Sequence, residues 1–147
     1  MIPSFSRETL LSRPSGASFH MNVRFQDVDA AGVVFFPTLL VYMHDAYVAL
    51  LEQVGTPLPR VLQDRRWIAP IAECHAEFLK PLRFGDSVEV QVVAATASRV
   101  AMRLGYRILR GDEAVAVGQT VHVFLAGGRP TAVPPEIAAW IAGLQSD

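Results

Sequence analysis

Cysteine is nearly absent from the chain: its 147 residues include only Cys74. No intrachain disulfide can form, so the fold must rest on its apolar core. Nothing ties it to an oxidising compartment, and a cytoplasmic location is the expectation. Metal ligands are equally sparse. The four histidines are scattered, no CxxC or HxxxH spacing occurs, and a metal centre, which needs convergent ligands, is not expected. No apolar run reaches the ~18 residues of a membrane-spanning helix. The opening MIPSFSRETLLSRPSG is broken by Arg7, Glu8 and Arg13, where a signal peptide would be continuously apolar. An excess of one charge is missing too: 13 Lys and Arg stand against 14 Asp and Glu, interspersed. That leaves no basic patch or stripe for nucleic acid. No repeat or low-complexity segment is visible.

What is present is apolar material, 51% of the chain, suited to one folded domain with a single core. Residues 1–16, rich in Ser, Pro and Gly, read as a loosely ordered N-terminal arm, and residues 17–147 as the domain. From Ala17 to Phe25 an alternation puts Phe19, Met21, Val23 and Phe25 on one face of a strand. DVDAAG follows as a turn. Pro37 marks the first turn of a helix, where its missing N–H does no harm. Leu40, Met43, Tyr47, Leu50, Leu51 and Val54 recur every three or four residues as one apolar stripe, and Gly55 is placed to end it. Pro57 to Arg66 reads as a short helix or loop.

The period then changes. Within Ile71 to Phe78, Ala72, Cys74, Ala76 and Phe78 alternate with Glu73, His75 and Glu77. Cys74 in this run is expected to be a buried structural thiol. Gly85-Asp86 is a turn. Val88, Val90 and Val92 share a face, as do Met102, Leu104, Tyr106 and Ile108. Arg110-Gly111-Asp112 connects to a last strand with Val115, Val117, Val121 and Val123 on one face. Pro134 and Pro135 introduce a short final helix containing Trp140. Strands joined by short turns make an antiparallel sheet, and one amphipathic helix can bury its stripe only against that sheet. The expected class is α+β, a sheet wrapped around one long helix.

Two carboxylates, Asp27 and Asp29, stand just before that helix. Asp is common at turns and helix starts for structural reasons, because its oxygens accept orphan backbone N–H bonds. Three neighbours point to chemistry as well. Ala30, Ala31 and Gly32 leave room for a ligand at the backbone. The following VVFF supplies an apolar wall, and a helix N-terminus offers free N–H groups suited to an oxyanion. Thioester hydrolysis matches a lone carboxylate, a helix end and a dry pocket. Its thiolate leaving group, with a conjugate acid of pKa about 8.5, needs no general acid.

These residues carry a likeness. FQDVDAAGVVFFPTLLVYMHDAY resembles the opening signature of the hydroxybenzoyl-CoA thioesterase-like group of hotdog-fold enzymes. APIAECHAEFLKPLRFGDSVEV resembles the strand and Pro-x-x-x-Gly-Asp turn that follow in that group. Within it, MHDAY and QTVHVFL look most like the dihydroxynaphthoyl-CoA hydrolases. The resemblance implies that Asp29 is the catalytic carboxylate, as nucleophile or general base, with Asp27 supporting the loop. It implies that the Phe36 backbone N–H is the oxyanion donor, and that two subunits join their sheets in a homodimer or homotetramer. Related short-chain enzymes carry His where this chain has Phe36. Its absence counts against the short-chain branch, and Phe36 suggests an apolar or aromatic acyl pocket shared with Phe35 and Tyr42.

Other residues are assigned more loosely. His44 lies on the helix, facing the site with the acyl group or capping the edge of the stripe. His75, flanked by Glu73 and Glu77, belongs to a solvated face or a subunit contact. His122 reads as a hydrogen-bonded core or pocket histidine. Arg99, Lys80 and Arg83 are candidates for the CoA phosphates. CoA enters as part of the substrate, and no cofactor is expected. The competing functions are an aliphatic acyl-CoA thioesterase, an acyl-thioester hydratase, which would need His44 to converge with Asp29, and a non-catalytic acyl-CoA-binding protein.

Overall fold

In the computed structural model, the elements run α1 (Arg7–Ser12), β1 (Ala17–Asn22), a 3-10 turn (Phe25–Asp27), α2 (Phe36–Gln53), α3 (Leu58–Gln63), β2 (Ile71–Phe78), β3 (Ser87–Ala97), β4 (Ala101–Arg110), β5 (Glu113–Val123), the two-residue β6 (Leu125–Ala126) and β7 (Arg129–Pro130), and α4 (Pro135–Gln145). Residues 2–145 are described. Met1, which opens the expected arm, and residues 146–147, which close the expected domain, lie outside the described residues.

The apolar stripe belongs to the 18-residue α2, which has proline in its first turn and Gly55 just beyond its end at φ 91°. Leu39, Tyr42, Met43, Ala46, Tyr47, Leu50 and Leu51 are its buried residues, a wider stripe than the spacing predicted. They rest on the inner face of one antiparallel five-stranded sheet, ordered β1-β3-β4-β5-β2. Val88, Val90 and Val92 of β3 and Met102, Leu104, Tyr106 and Ile108 of β4 supply the floor of the core. The strand faces expected for these residues are the observed ones.

In the last strand Val115 departs from the face it was expected to share with Val117, Val121 and Val123. Ile108 pairs with Ala116 but Leu109 pairs with Ala114, so Val115 is the extra residue of a β-bulge. Val115 and Ala116 both enter the inner core, and the phase then shifts by one. Val117 packs on the opposite, outer face with Leu10, and Val121 and Val123 pack there with Ile2. Facing α2 instead are Ala116, Gly118, Thr120 and His122. A second bulge sits at Val93, between the pairs Val92–Tyr106 and Ala94–Gly105. Bulges increase local twist, which helps the sheet curl around α2.

Three further expectations are corrected. Residues 2–12 are no loose arm: Ile2 and Leu10 are buried, and Ser6 caps α1 by accepting from the Thr9 N–H. Phe25 does not continue the β1 face. It is 76% exposed, in the 3-10 turn, with its ring against Phe84 at 5.8 Å. Cys74 is exposed, because β2 is an edge strand whose inner-face residues extend past the cover of α2. No helix among the described residues is long and apolar enough to cross a membrane.

Candidate active site

The chain between β1 and α2 folds back on itself over Val28 to Val34, which form an antiparallel bridge. At its tip the Gly32 N–H donates to the Asp29 carbonyl at 3.0 Å and the Asp29 N–H donates to the Val33 carbonyl at 2.9 Å. That is a type I turn with Gly32 at φ 80° as the left-handed residue that closes it. A Cβ on Gly32 would meet only the Arg83 guanidinium, at 4.0 Å. The glycine answers a demand for positive φ more than for space beside a ligand. The Ala31 N–H donates to Asp29 Oδ1 at 2.8 Å, which orients the exposed carboxylate and leaves Oδ2 without a hydrogen-bond partner among the described residues.

Asp27 supports this turn from beneath. It is buried at 3% exposure, and Tyr42 O–H donates to its Oδ2 at 2.7 Å. The Arg24 N–H donates to Oδ2 at 3.0 Å and the Arg24 guanidinium to Oδ1 at 3.1 Å. Its carbonyl accepts from the Phe35 N–H at 2.9 Å, tying the turn to the start of α2. Burial opposes ionisation of Asp27, but the hydrogen bonds from Arg24 and Tyr42 outweigh it and hold the carboxyl below its ordinary value. Burial, reinforced by that carboxylate, pushes the Tyr42 phenol well above its ordinary value, so it remains a donor. Tyr42 is thus a brace for Asp27, and it is not among the residues that line the groove beside the turn. The Arg24 partner was missed in the sequence; its position three residues before Asp27 was the available signal.

The loop is stitched to the segment before β3: Val33 bridges Arg83, and the Val34 N–H donates to the Leu82 carbonyl at 2.8 Å. Between them opens a groove of about 300 Å³ whose lining includes Val33, Phe36, Leu39, Phe78, Lys80 and Leu82. Phe36 is the first residue of α2, so its N–H has no acceptor within the helix and none elsewhere among the described residues. Phe36 lies 5.3 Å from Phe35 and 6.0 Å from Phe78, ring centre to ring centre. All three rings are about half exposed or more, an unusual outlay of aromatic surface. Phe78, on β2, is a groove residue that sequence reasoning left unassigned.

The remaining candidates divide. Lys80 lines the groove and holds only a 4.0 Å ion pair with Glu113. Arg83 sits beside Gly32, with no carboxylate on its guanidinium among the described residues. Arg99 lies in the β3–β4 hairpin, at the far end of an 11-residue strand and so roughly 30 Å away. It does not join the turn of its own chain. His44 is exposed on α2, 5.5 Å from Tyr47, at the edge of the stripe and outside the groove. His75 projects from β2 on the face opposite Cys74. His122 is fully buried, bonded to Thr120 and the Ala69 carbonyl. No cluster of three His, Cys, Asp or Glu among the described residues is placed to hold a metal ion.

Comparison with known proteins identifies what the chain is similar to. A family model described as the thioesterase-like superfamily matches residues 23–141. The chain is 34% identical over 126 residues to the 1,4-dihydroxy-2-naphthoyl-CoA hydrolase of Thermosynechococcus vestitus, covering 84% of this chain and 86% of that one. A 1,4-dihydroxy-2-naphthoyl-CoA thioesterase structure from Synechocystis superposes with a TM-score of 0.80 at 26% identity, over 87% and 96% of the two chains. A gentisyl-coenzyme A thioesterase structure gives 0.77 at 25% identity, over 86% and 99%.

Proposed function

The chain belongs to the thioesterase-like superfamily and is a hotdog-fold thioester hydrolase, and from that premise we propose that it hydrolyses acyl-CoA with an aromatic acyl group at the Asp29 turn. The observation that carries this is the free Phe36 N–H at the head of α2, opening on an apolar groove edged with phenylalanine. The thioester carbonyl oxygen points to that N–H, which stabilises the negative charge developing on it. The Asp29 carboxylate attacks the carbonyl carbon directly or deprotonates the water that does. The C–S bond breaks and CoA leaves as a thiolate. In the direct route the resulting anhydride is cleaved by water, which releases the acid and restores Asp29. Transfer of ¹⁸O from labelled water into Asp29 during turnover marks the direct route. Water is the only co-reactant, and no cofactor is required.

Phe35, Phe36 and Phe78 would stack on the acyl ring, while Lys80 and Arg83 lie where a phosphate tail leaving the groove would pass. A second copy of the chain completes the site. Strand β2 has an unpaired edge, with Ile71, Cys74 and Phe78 exposed, a surface suited to pairing with another chain. In the dimer formed across it, Arg99 of one copy has a route to the groove of the other. A cytoplasmic setting, where CoA thioesters occur, goes with this reading.

Thiol release over a panel of benzoyl, naphthoyl and aliphatic CoA thioesters tests it, with Asp29→Asn as control. Turnover should fall at least 100-fold in the variant, and aromatic thioesters should be the better substrates. Unchanged turnover in Asp29→Asn would remove the catalytic assignment; faster aliphatic hydrolysis would remove the aromatic one.

A further inference from the structure

Two phenylalanines stand at turn tips, where polar residues are the rule. Phe25 opens the 3-10 turn that ends at Asp27. Phe84 is the first central residue of a second turn, closed by the Asp86 N–H on the Arg83 carbonyl at 3.0 Å. Gly85, at φ 88°, is the left-handed second central residue of that turn. Phe25 is 76% and Phe84 62% exposed, and the two rings meet at 5.8 Å with their planes 84° apart. Adjoining aromatic rings left in water are the kind of patch that receives a ligand.

Backbone bonds fix where this pair stands. The Gly85 N–H donates to the Val23 carbonyl at 3.1 Å and the Val23 N–H to the Asp86 carbonyl at 2.9 Å, which joins the second turn to the chain two residues before Phe25. The Arg83 N–H donates to Asp86 Oδ2 at 2.8 Å, and Arg110 holds the same oxygen at 3.1 Å. On its other side Arg83 bridges Val33, a wall of the groove. Paired strands lie about 4.8 Å apart and one residue adds about 3.8 Å, so the Phe84 backbone is within roughly 9 Å of that wall. Between rings and groove comes the Arg83 guanidinium, 4.0 Å from where a Gly32 Cβ would stand. It has no hydrogen bond or ion pair among the described residues.

This order of groups matches the order of groups in CoA, where the adenine follows the phosphates and the phosphates follow the arm that carries the thioester. A free guanidinium suits a phosphate, and two rings at right angles offer a purine both a face to stack on and an edge to abut. The free cation beside the rings favours a ligand with an anionic group next to a flat ring over a purely apolar occupant. We infer that Phe25 and Phe84 form the adenine subsite for the CoA substrate, receiving the purine as its phosphates pass Arg83. The inference rests on the acyl-CoA reading of the Asp29 turn proposed above.

Isothermal titration calorimetry on the full-length protein tests it with two ligands: CoA, and 4′-phosphopantetheine, which keeps the arm and one phosphate but lacks the nucleoside. The variants are Phe84→Ser and the double substitution Phe25→Ser with Phe84→Ser, each checked by circular dichroism. The double variant should bind CoA weaker by about fivefold or more, as expected for the loss of one stacked base, and phosphopantetheine as the parent does. Phe84→Ser alone should show the same selectivity at smaller size. Unchanged CoA affinity overturns the proposal, and so does an equal loss for both ligands or a parent that binds CoA no better than phosphopantetheine. Light scattering on the same samples reads the competing occupant: fewer copies in the variants than in the parent makes the pair a contact between subunits and overturns the adenine assignment. Thiol release separates this inference from the catalytic one. A parent that hydrolyses aromatic CoA thioesters, with KM unchanged in the variants, removes the adenine subsite alone. Selective loss of CoA binding in a protein that releases no thiol removes the catalytic reading and leaves the subsite standing.

Discussion

Acidification should destabilise this protein in a step that belongs to one buried imidazole, that of His122. Its Nδ1 lies 3.2 Å from the Ala69 carbonyl, which can only accept, so Nδ1 carries the proton. Nε2 must then accept from Thr120 Oγ1 at 3.0 Å, and Thr120 in turn accepts from Tyr106 O–H at 3.1 Å. Tyr47 is stacked on the ring at 4.2 Å. Burial, with a smaller contribution from repulsion by His44, outweighs the Ala69 hydrogen bond and lowers the imidazole pKa from 6.5 to about 4. The unfolded chain takes up this proton near 6.5 and the folded chain only near 4, so between these values the unfolded state binds more protons. The stability contributed by neutral His122 is therefore complete above pH 6.5 and is lost as pH falls from there to about 4. A shift from 6.5 to about 4, at 1.36 kcal/mol per unit, amounts to about 3 kcal/mol, a large part of the 5–15 kcal/mol typical of a domain. Urea unfolding at intervals from pH 7.5 to 4, with His122→Gln as the reference in which the carboxylates titrate alike, isolates it. The parent should lose about 3 kcal/mol more than the variant across the window. Parallel stability curves, or an NMR titration placing His122 near 6.5, would refute the reasoning.

Three other outcomes follow from the site and its surroundings. Tyr42→Phe leaves the buried Asp27 carboxylate without its 2.7 Å donor; a hydrogen bond to a charged group is worth about 1.5–3 kcal/mol, so calorimetry should show Tm lower by roughly 3–10 °C. Gly32→Ala forces a side chain to φ 80° at a cost of about 1–2 kcal/mol; thiol release should fall more than tenfold while the far-ultraviolet spectrum stays native, and full activity would mean that the turn does not aim Asp29. The exposed Cys74 should react with an aromatic disulfide several-fold faster on dilution, as the β2 edges part; a rate independent of concentration would speak against pairing there.

Much of this molecule was legible in its sequence because local rules and global packing agree there. The stripe from Leu40 to Val54 could bury itself in only one way, and the alternation in Val88 to Val92 and Met102 to Ile108 carried through unbroken. Misreadings arose where one residue changed the phase or where tertiary contact overrode composition. Val115 adds a residue to its strand without altering the run of valines, so periodicity alone put Val115 on the face shared by Val117, Val121 and Val123. The Ser- and Pro-rich start looked unable to pack, yet its partners, Gln119, Arg103 and Arg107, lie about a hundred residues away and bind its main chain. Cys74 has the spacing of an inward residue; what it lacks is a helix above it, and sheet order, not spacing, decides that. At the site, the two acids and the helix start were plain. Tyr42 was not, because an aromatic near an apolar loop suggests a pocket wall until its hydroxyl is seen on Asp27.

Gly105 and Gly118 sit on adjacent strands and are entered from opposite sides. Leu10 presses into the first, and Met43 of α2 into the second, where a Cβ would stand 2.6 Å from its Sδ and 2.9 Å from the His75 carbonyl. The sheet has a waist at this point, only backbone thick. The helix that presents the Phe36 N–H and the segment that covers the back of the sheet are therefore keyed to neighbouring notches, as two keys share one lock plate. A methyl group added at Gly105 would press on Leu10 and Phe5, and one at Gly118 on Met43 and the His75 carbonyl, so each would have to give way. Through Met43, Gly118 is one of the contacts that seat α2, the helix whose first N–H opens on the groove.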